Sequence, residues 1–345
     1  VQQVDYIILG QGLAGSCLAL RLLMRGRKVA VIDAGHPHAA SRVAAGLFNP
    51  ITGKTPGLTW MAHELFYSLR NFYAEAEKFT GASFFYPMPV YRPFLSIAEQ
   101  NEWAQKASWP SLKPFIKKIH YQPAYADEVV NPLGGIELEQ SGYLNTVVFL
   151  QAVRNTLTAS AVFLNEHVNE RELHFADDFI QYKGLQAQKL VCCTGAFANT
   201  LFEFLPIHPL KGEVLKLQTQ HYPQCIYNRG VYVVPGIWKA GATYARDDNT
   251  PAVTQTGRAQ LEQGLQALIR FPYQIVGQDY GFRPTTPDRR PLLGQHPQHP
   301  NLYIFNGLGT KGVTLAPYFS AQLVDFMENE GALNQMVDVK RYIIH

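Results

Sequence analysis

The stretch from Val4 to Asp33 restricts this chain more than any other. Val4-Asp5-Tyr6-Ile7-Ile8-Leu9 is a short apolar run that reads as a buried strand. It passes directly into Gly10-Gln11-Gly12-Leu13-Ala14-Gly15, a G-x-G-x-x-G turn. A helix follows, with Leu13, Cys17, Leu20, Leu23 and Met24 on one face and Gly26 at its end. Lys28-Val29-Ala30-Val31-Ile32 is the next strand, and Asp33 closes it. Each part has a physical task. Gly10 permits the tight turn, Gly12 lets the backbone approach a diphosphate, and Gly15 lets the helix pack against the strand. Free N–H groups at the helix start attract phosphate. Asp33 accepts ribose hydroxyls and disfavours a 2′-phosphate, so FAD or NAD is expected in preference to NADP. The alternative is a glycine-rich turn in an ordinary α/β protein.

A chain of 345 residues, 47% hydrophobic and 17% charged, has enough material for a large core and two domains. The formal charge of +3 is too small to imply nucleic-acid binding. The doublets Lys117-Lys118 and Arg289-Arg290 read as solvated or local charges rather than a phosphate stripe. Cys17, Cys192, Cys193 and Cys225 lack metal-ligand spacing and read as free core thiols in a reducing compartment. No run of eighteen apolar residues or secretory leader pattern is visible, so no membrane span and a cytoplasmic setting are expected.

Beyond Asp33 the residues Ala34 to Pro56 read as a long loop, a length that suggests function. A helix is expected over Trp60–Phe79, and a Pro- and aromatic-rich region over Ser83–Asn131. Gly142–Leu157 reads as a turn and then a helix, and Ala161–Leu164 and Lys189–Cys193 read as strands. Glu213–Gln218, Gly230–Val234 and Ala240–Tyr244 read as further strands, and Thr254–Arg270 as a helix. Leu302–Phe305 is a last buried strand before a helix that runs to about Met327. Between them Gly307, Gly309 and Gly312 repeat the G-x-G-x-x-G spacing. Three readings stand: contact with the ring end of the first motif's cofactor, a plain turn, or a second nucleotide site. Only one helix and a short tail follow, and no strand ending in an acid lies about twenty residues on, which counts against the last.

These pieces fall in an order that resembles the D-amino-acid oxidase family of FAD-dependent amine oxidoreductases. The likeness extends to its glycine oxidases, its sarcosine-type oxidases and the oxidase domain of the bifunctional tRNA wobble-uridine modification enzyme. Ser41-Arg42-Val43-Ala44-Ala45-Gly46 is similar to the family's S-x-x-A-x-G loop along the cofactor diphosphate. Val191 to Phe197 resembles the strand that ends in a T/A-G-A-W/F turn beside FAD. Gly281-Phe282-Arg283-Pro284-Thr285-Thr286-Pro287-Asp288, with Pro291-Leu292-Leu293-Gly294, resembles the family's G-L/F-R-P element. Gly307 to Gly312, with Ala316-Pro317, resembles its flavin-facing loop.

The resemblance implies FAD contacts at Gly10, Gly12, Leu13, Ala14 and Gly15. It adds Asp33, Ala34, Ser41, Arg42, Ala45 and Gly46, then Val168, Thr194 and Gly195. The last group is Gly307, Gly309, Thr310, Lys311 and Gly312. Lys311 would place its ammonium or its N–H by the flavin pyrimidine, or it is simply a surface lysine. No cysteine follows Cys225, so non-covalent FAD is expected. Arg283 offers a planar fork for a substrate carboxylate; the alternative is an internal pair with Asp288. Tyr232 and Tyr244 are candidates for the substrate pocket. The wording Asn49-Pro50-Ile51-Thr52-Gly53-Lys54 leans toward the tRNA-modifying relatives and leaves open whether it meets substrate or flavin.

The expected reaction is oxidation of the C–N bond of an amine or amino acid, by hydride transfer to flavin N5. The electrons then pass to oxygen or another acceptor. Such chemistry needs positioning more than acid–base machinery, so a missing Ser-His-Asp set is no gap. No H-E-x-x-H exists and no metal is expected; His36, His38, His296 and His299 read as turn residues. Two other readings remain: an oxidase of a carboxymethylaminomethyl group on tRNA, against which the modest charge counts, and a flavin-binding protein without turnover. The fold class is α/β with an α+β second domain, in the manner of glutathione-reductase-like flavoproteins. Residues 1–80, 140–205 and 285–345 would form a Rossmann-like FAD-binding domain. Residues 81–139 and 206–284 would form an antiparallel-sheet substrate domain.

Overall fold

Gln2–Leu9 is an inner strand of an eight-stranded sheet in the computed structural model, which describes residues 1–52, 57–197 and 200–343. Gly53 and Lys54 of the unusual Asn49–Lys54 stretch therefore lie outside the described residues. Val29–Ile32 and Leu185–Cys192 flank the inner strand in parallel. Val162–Leu164 pairs beyond Val29–Ile32, and Leu302–Asn306 lies beside the end of Leu185–Cys192. Alternate residues enter two separate apolar clusters. Tyr6, Ile8, Val31, Val191 and Phe305 face one; Ile7, Leu9, Ile32, Cys192 and Ile304 face the other. A parallel sheet buried on both faces reads as continuous apolar runs, which is why these strands were legible.

The helices Leu13–Met24 and Gly312–Met327 pack on one face of this sheet with Thr146–Ser160. Asn145 starts the last of these by accepting the Val148 N–H at 3.3 Å. Gly142–Leu144, expected as a turn, is instead a strand between Leu47–Phe48 and Phe85–Pro87. The expected loop Ala34–Pro56 also holds short regular pieces, the Ala40–Val43 helical turn and the strands Leu47–Phe48 and Ile51–Thr52.

A second eight-stranded sheet begins with Gln274–Thr285 and His208–Gln218, followed by Lys239–Gly241, Val231–Val234 and Ile226–Arg229. It ends with Val90–Pro93, Gly135–Leu138 and Ile116–His120. All neighbours run antiparallel except Ile226–Arg229 beside Val90–Pro93. The helix Gln255–Leu268 covers one face, packing Leu261, Leu265 and Leu268 on Leu215 and Val233. The opposite face presents Val214, Ala242 and Tyr232 to Val43. The segment around residues 38–46 is thus held between the two sheets, with Ala39 bridged to Phe282 and His38 stacked on Tyr280 at 4.1 Å. Among the described residues no helix is long and apolar enough to cross a membrane.

Candidate functional site

The first glycine turn is packed so closely that it excludes side chains. Gly10 has φ +99°, and a Cβ there would lie 2.5 Å from the Cys193 carbonyl oxygen. A Cβ on Gly15 would lie 1.9 Å from the Gly10 oxygen. The Leu13–Met24 helix starts at Gly12 with no side-chain cap from that residue. Ser41 reaches across instead, its Oγ accepting the Leu13 N–H at 3.0 Å. Asp33 sits at the end of its strand as expected, accepting the N–H groups of Gln11 at 2.8 Å and Gly35 at 2.7 Å. Arg154, which the sequence did not single out, donates to the same carboxylate at 3.2 Å and to Gln11 Oε1 at 3.1 Å. Ala34 and Arg42 are half-buried, and Ala45 and Gly46 are buried. Val168 is half-buried against the cluster that holds Leu9 and Ile32.

The second glycine loop faces the first. Gly312 lies close enough to Leu13 that a Cβ on it would meet Leu13 Cδ1 at 2.9 Å. Gly307 and Gly309 have φ of +69° and +54°. Asn306, also absent from the sequence reading, ties two expected contact regions together: its Nδ2 donates to the Gly195 carbonyl at 2.9 Å and its Oδ1 accepts the Gly307 N–H at 2.8 Å. Thr194 Oγ1 is buried with no hydrogen-bond partner among the described residues. Thr310 is exposed, whereas Lys311 is half-buried and donates to the hydroxyls of Thr52 and Thr59, both at 3.2 Å. No strand follows the Gly312–Met327 helix among the described residues, so a second mononucleotide half is not built here. The crowded glycine turn, the orphaned Thr194 hydroxyl and an acid at a strand end, with a second glycine loop against the first, fit an extended dinucleotide. Orphaned buried hydroxyls call for a partner.

Lys239 couples the two sheets. Its Nζ donates to the carbonyl oxygens of Val43 at 2.8 Å, Ala44 at 3.1 Å and Arg42 at 3.4 Å. Burial lowers this ammonium to about 8. Lys239→Met should loosen the Ser41–Gly46 segment and weaken FAD binding roughly tenfold or more, given about 1.5–3 kcal/mol for hydrogen bonds to a charged group. Fluorescence titration of the apoprotein with FAD checks this, and an unchanged affinity would remove Lys239 from the account.

The structure brings Arg283, Tyr232 and Tyr244 together. Arg283 leaves its strand over Gly212, where a Cβ would lie 2.2 Å from the guanidinium. Its other side meets the Tyr244 ring at 4.8 Å, and its Nη1 donates to the Thr243 carbonyl at 3.2 Å. It has no carboxylate partner among the described residues. Asp288, the alternative, pairs with Arg341 at 2.9 Å instead. Burial pushes the Tyr232 phenol up to about 12, against the lowering influence of Arg283.

Tyr244 does not lie in a strand as expected. That strand ends at Gly241, and the chain leaves to bridge Ala245 to Lys211. Fully buried Lys211 then holds the departing segment through Asp248 at 2.7 Å and Thr250 at 2.9 Å. Glu213 accepts the Thr254 N–H at 2.9 Å at its far end. Tyr244 is thereby fixed above Arg283 while remaining 64% exposed.

The family model for FAD dependent oxidoreductases matches residues 5–326. The bifunctional protein ThiO/ThiG of Trichormus variabilis is 29% identical over 361 aligned positions, covering 94% of this chain and 52% of that protein. The chain thus spans about half the length of such relatives. Two solved structures share the fold at 20% identity. Glycine oxidase from Geobacillus kaustophilus has a TM-score of 0.81, with 99% of this chain and 98% of that one covered. Iminodiacetate oxidase from Chelativorans sp. BNC1 has a TM-score of 0.79, with 98% of each covered. With a glycine turn, a strand-end acid and a second glycine loop on one sheet, and a family match across nearly its whole length, this chain belongs to the FAD dependent oxidoreductase family.

Proposed function

We propose that the chain oxidises the C–N bond of a small amine or amino acid that carries a carboxylate, with FAD bound non-covalently. The observation that carries this reading is Arg283, a half-buried guanidinium held between Gly212 and Tyr244 with no acid partner among the described residues. A planar fork in that state suits bidentate carboxylate binding. Bound FAD would supply the two-electron acceptor for the hydride that leaves the amine carbon. Gly10 to Gly15 and Ser41 to Gly46 would hold its diphosphate, Asp33 its ribose, and Gly307 to Gly312 the ring end. The start of the Gly312–Met327 helix would favour negative charge there. Tyr232 stays protonated at neutral pH, so it would donate to the substrate carboxylate rather than act as a base. The amine proton goes to solvent, and water hydrolyses the imine. Names of the relatives, glycine oxidase and iminodiacetate oxidase, agree with a carboxylate-bearing amine.

The proposed division follows strand pairing. Strands within 1–80, 140–205 and 285–345 build the sheet with the glycine turn, and those within 81–139 and 206–284 build the sheet with Arg283. Among the described residues the small sheet of Leu47–Phe48, Gly142–Leu144 and Phe85–Pro87 crosses it, as does the Ala39–Phe282 bridge. Four buried cysteines, none of them in a disulfide among the described residues, support a reducing, cytoplasmic setting. The electron acceptor is oxygen or another oxidant, distinguished by whether the reduced protein reoxidises in air.

Anaerobic titration tests the main reading. The FAD-loaded protein should be yellow and should bleach with a carboxylate-bearing amine from a panel. A colourless protein that takes up no FAD, or one that no amine bleaches, would end it.

A further inference from the structure

One face of the Thr146–Ser160 helix meets the Ser41–Gly46 segment, the first glycine turn and the strand-end acid in succession. Thr146, Leu150 and Arg154 follow one another at four-residue spacing, so they share that face. The Thr146 hydroxyl donates to the Ala44 carbonyl at 3.4 Å. The Leu150 carbonyl accepts Gln11 Nε2 at 2.7 Å. One turn further on, Arg154 donates through Nε to Gln11 Oε1 at 3.1 Å and through Nη2 to Asp33 Oδ1 at 3.2 Å. Its guanidinium carbon lies 4.6 Å from the centre of the Phe163 ring, on the strand that pairs with Val29–Ile32. The ring and the two polar partners together fix where the guanidinium sits.

Asp33 is thereby closed into a ring of hydrogen bonds. Gln11 reaches it directly from its backbone N–H at 2.8 Å, and again from its side chain by way of Arg154. Gly35 adds a donor at 2.7 Å on Oδ1, the oxygen that Arg154 also uses. A carboxylate offers about four lone-pair directions, so about one is left, on Oδ2. The pair is not sealed in the core: the Arg154 and Asp33 side chains stay 24% and 19% exposed. A ribose hydroxyl can approach from that open side. The carboxylate cannot turn away from it without breaking a charge-assisted bond, which is stronger than a neutral one. Without Arg154, two backbone N–H groups alone would hold it. We propose that Arg154 is a positioning residue for the cofactor, acting through Asp33 to aim its carboxylate at the adenosine ribose. The proposal rests on the reading of Asp33 as the ribose acceptor and names the side chain that makes that acceptor selective.

The test titrates the apoprotein with FAD and with the FAD analogue that lacks the 2′ and 3′ hydroxyls of the adenosine ribose, each followed by flavin fluorescence. The parent should prefer FAD by roughly tenfold or more, the usual worth of a hydrogen bond to a charged acceptor. In Arg154→Met that preference should fall below about threefold, and in Arg154→Lys it should partly return. Asp33→Asn should lower the preference as well. Adding Arg154→Met to Asp33→Asn should then change it little further, because two residues that act through one contact are not additive. Circular dichroism of each apoprotein reports folding, and Arg154→Gln takes the place of Arg154→Met if the latter does not fold. A preference that survives the loss of Arg154, even with weaker overall binding or a lower melting temperature, would make Arg154 a packing residue and overturn the proposal. Equal affinities of the parent for the two dinucleotides would instead remove Asp33 from the ribose, and the role of Arg154 would fall with it.

Discussion

Arg283→Ala is expected to raise the dissociation constant of a carboxylate-bearing amine by roughly thirty- to several-thousandfold, or about 2–5 kcal/mol. The size follows from the setting. The guanidinium is half-buried and has no acid of its own among the described residues; the backbone of Gly212 and the ring of Tyr244 cover its two sides. A substrate carboxylate would be its counter-charge, and removing the fork would leave that carboxylate desolvated and unpaired. Arg283→Lys should rescue poorly, because an ammonium offers no bidentate fork. Gly212→Ala should mimic the loss without touching the charge, since its Cβ would fall 2.2 Å from the guanidinium and force it aside. FAD content should stay near that of the parent in all three, because the expected diphosphate contacts lie on the other sheet. Stopped-flow reduction under anaerobic conditions, fitted for substrate affinity, provides the measurement. Loss of FAD from Arg283→Ala, or equal affinity for acids and neutral amines, would make Arg283 structural.

What could be read in advance was local and contiguous. The strand, turn, helix and acid from Val4 to Asp33 lie within thirty residues, and their periodicities and glycines report them directly. The same holds for Leu302 to Gly312 and for the run around Arg283. Side chains that tie distant segments together gave no such signal. Arg154 meets Asp33 across 121 positions, and Lys239 meets Val43 across 196. Nothing in the local pattern of either helix or strand marks those partners. Asn306 lay one residue from an expected contact and was passed over, because its role depends on Gly195, 111 positions away. Short pieces failed for another reason. Ala40–Val43, Leu47–Phe48 and Gly142–Leu144 have two to four residues each, below the length at which a period can be counted. Ala240–Tyr244 has strand-like residues, but the regular pairing ends at Gly241; Thr243 and Ala245 then donate to the carbonyls of Glu213 and Lys211, both at 3.1 Å, one residue out of register, an irregularity that no period reports.

Gly15→Ala should abolish most FAD binding, with purified protein carrying less than a tenth of the parent's flavin. The added methyl has nowhere to go: it would lie 1.9 Å from the Gly10 oxygen and 3.3 Å from Ile8 Cγ2. Backbone on one side and a fully buried strand on the other leave only displacement of the Leu13–Met24 helix. Overpacking of this kind costs about 1–3 kcal/mol in stability. The larger effect is on the site. Leu13 carries the N–H that Ser41 accepts and the side chain that Gly312 rests on, so moving the helix start disturbs the first turn, the Ser41 segment and the second glycine loop together. Gly184→Ala is the control, because a Cβ there meets nothing within 4 Å. It should leave flavin content intact and change stability by less than about 1 kcal/mol in either direction. Flavin absorbance per protein, together with thermal melts of both variants, separates the two contributions. If Gly15→Ala melted lower yet kept its flavin, the turn would be a packing device and the diphosphate would have to be bound elsewhere.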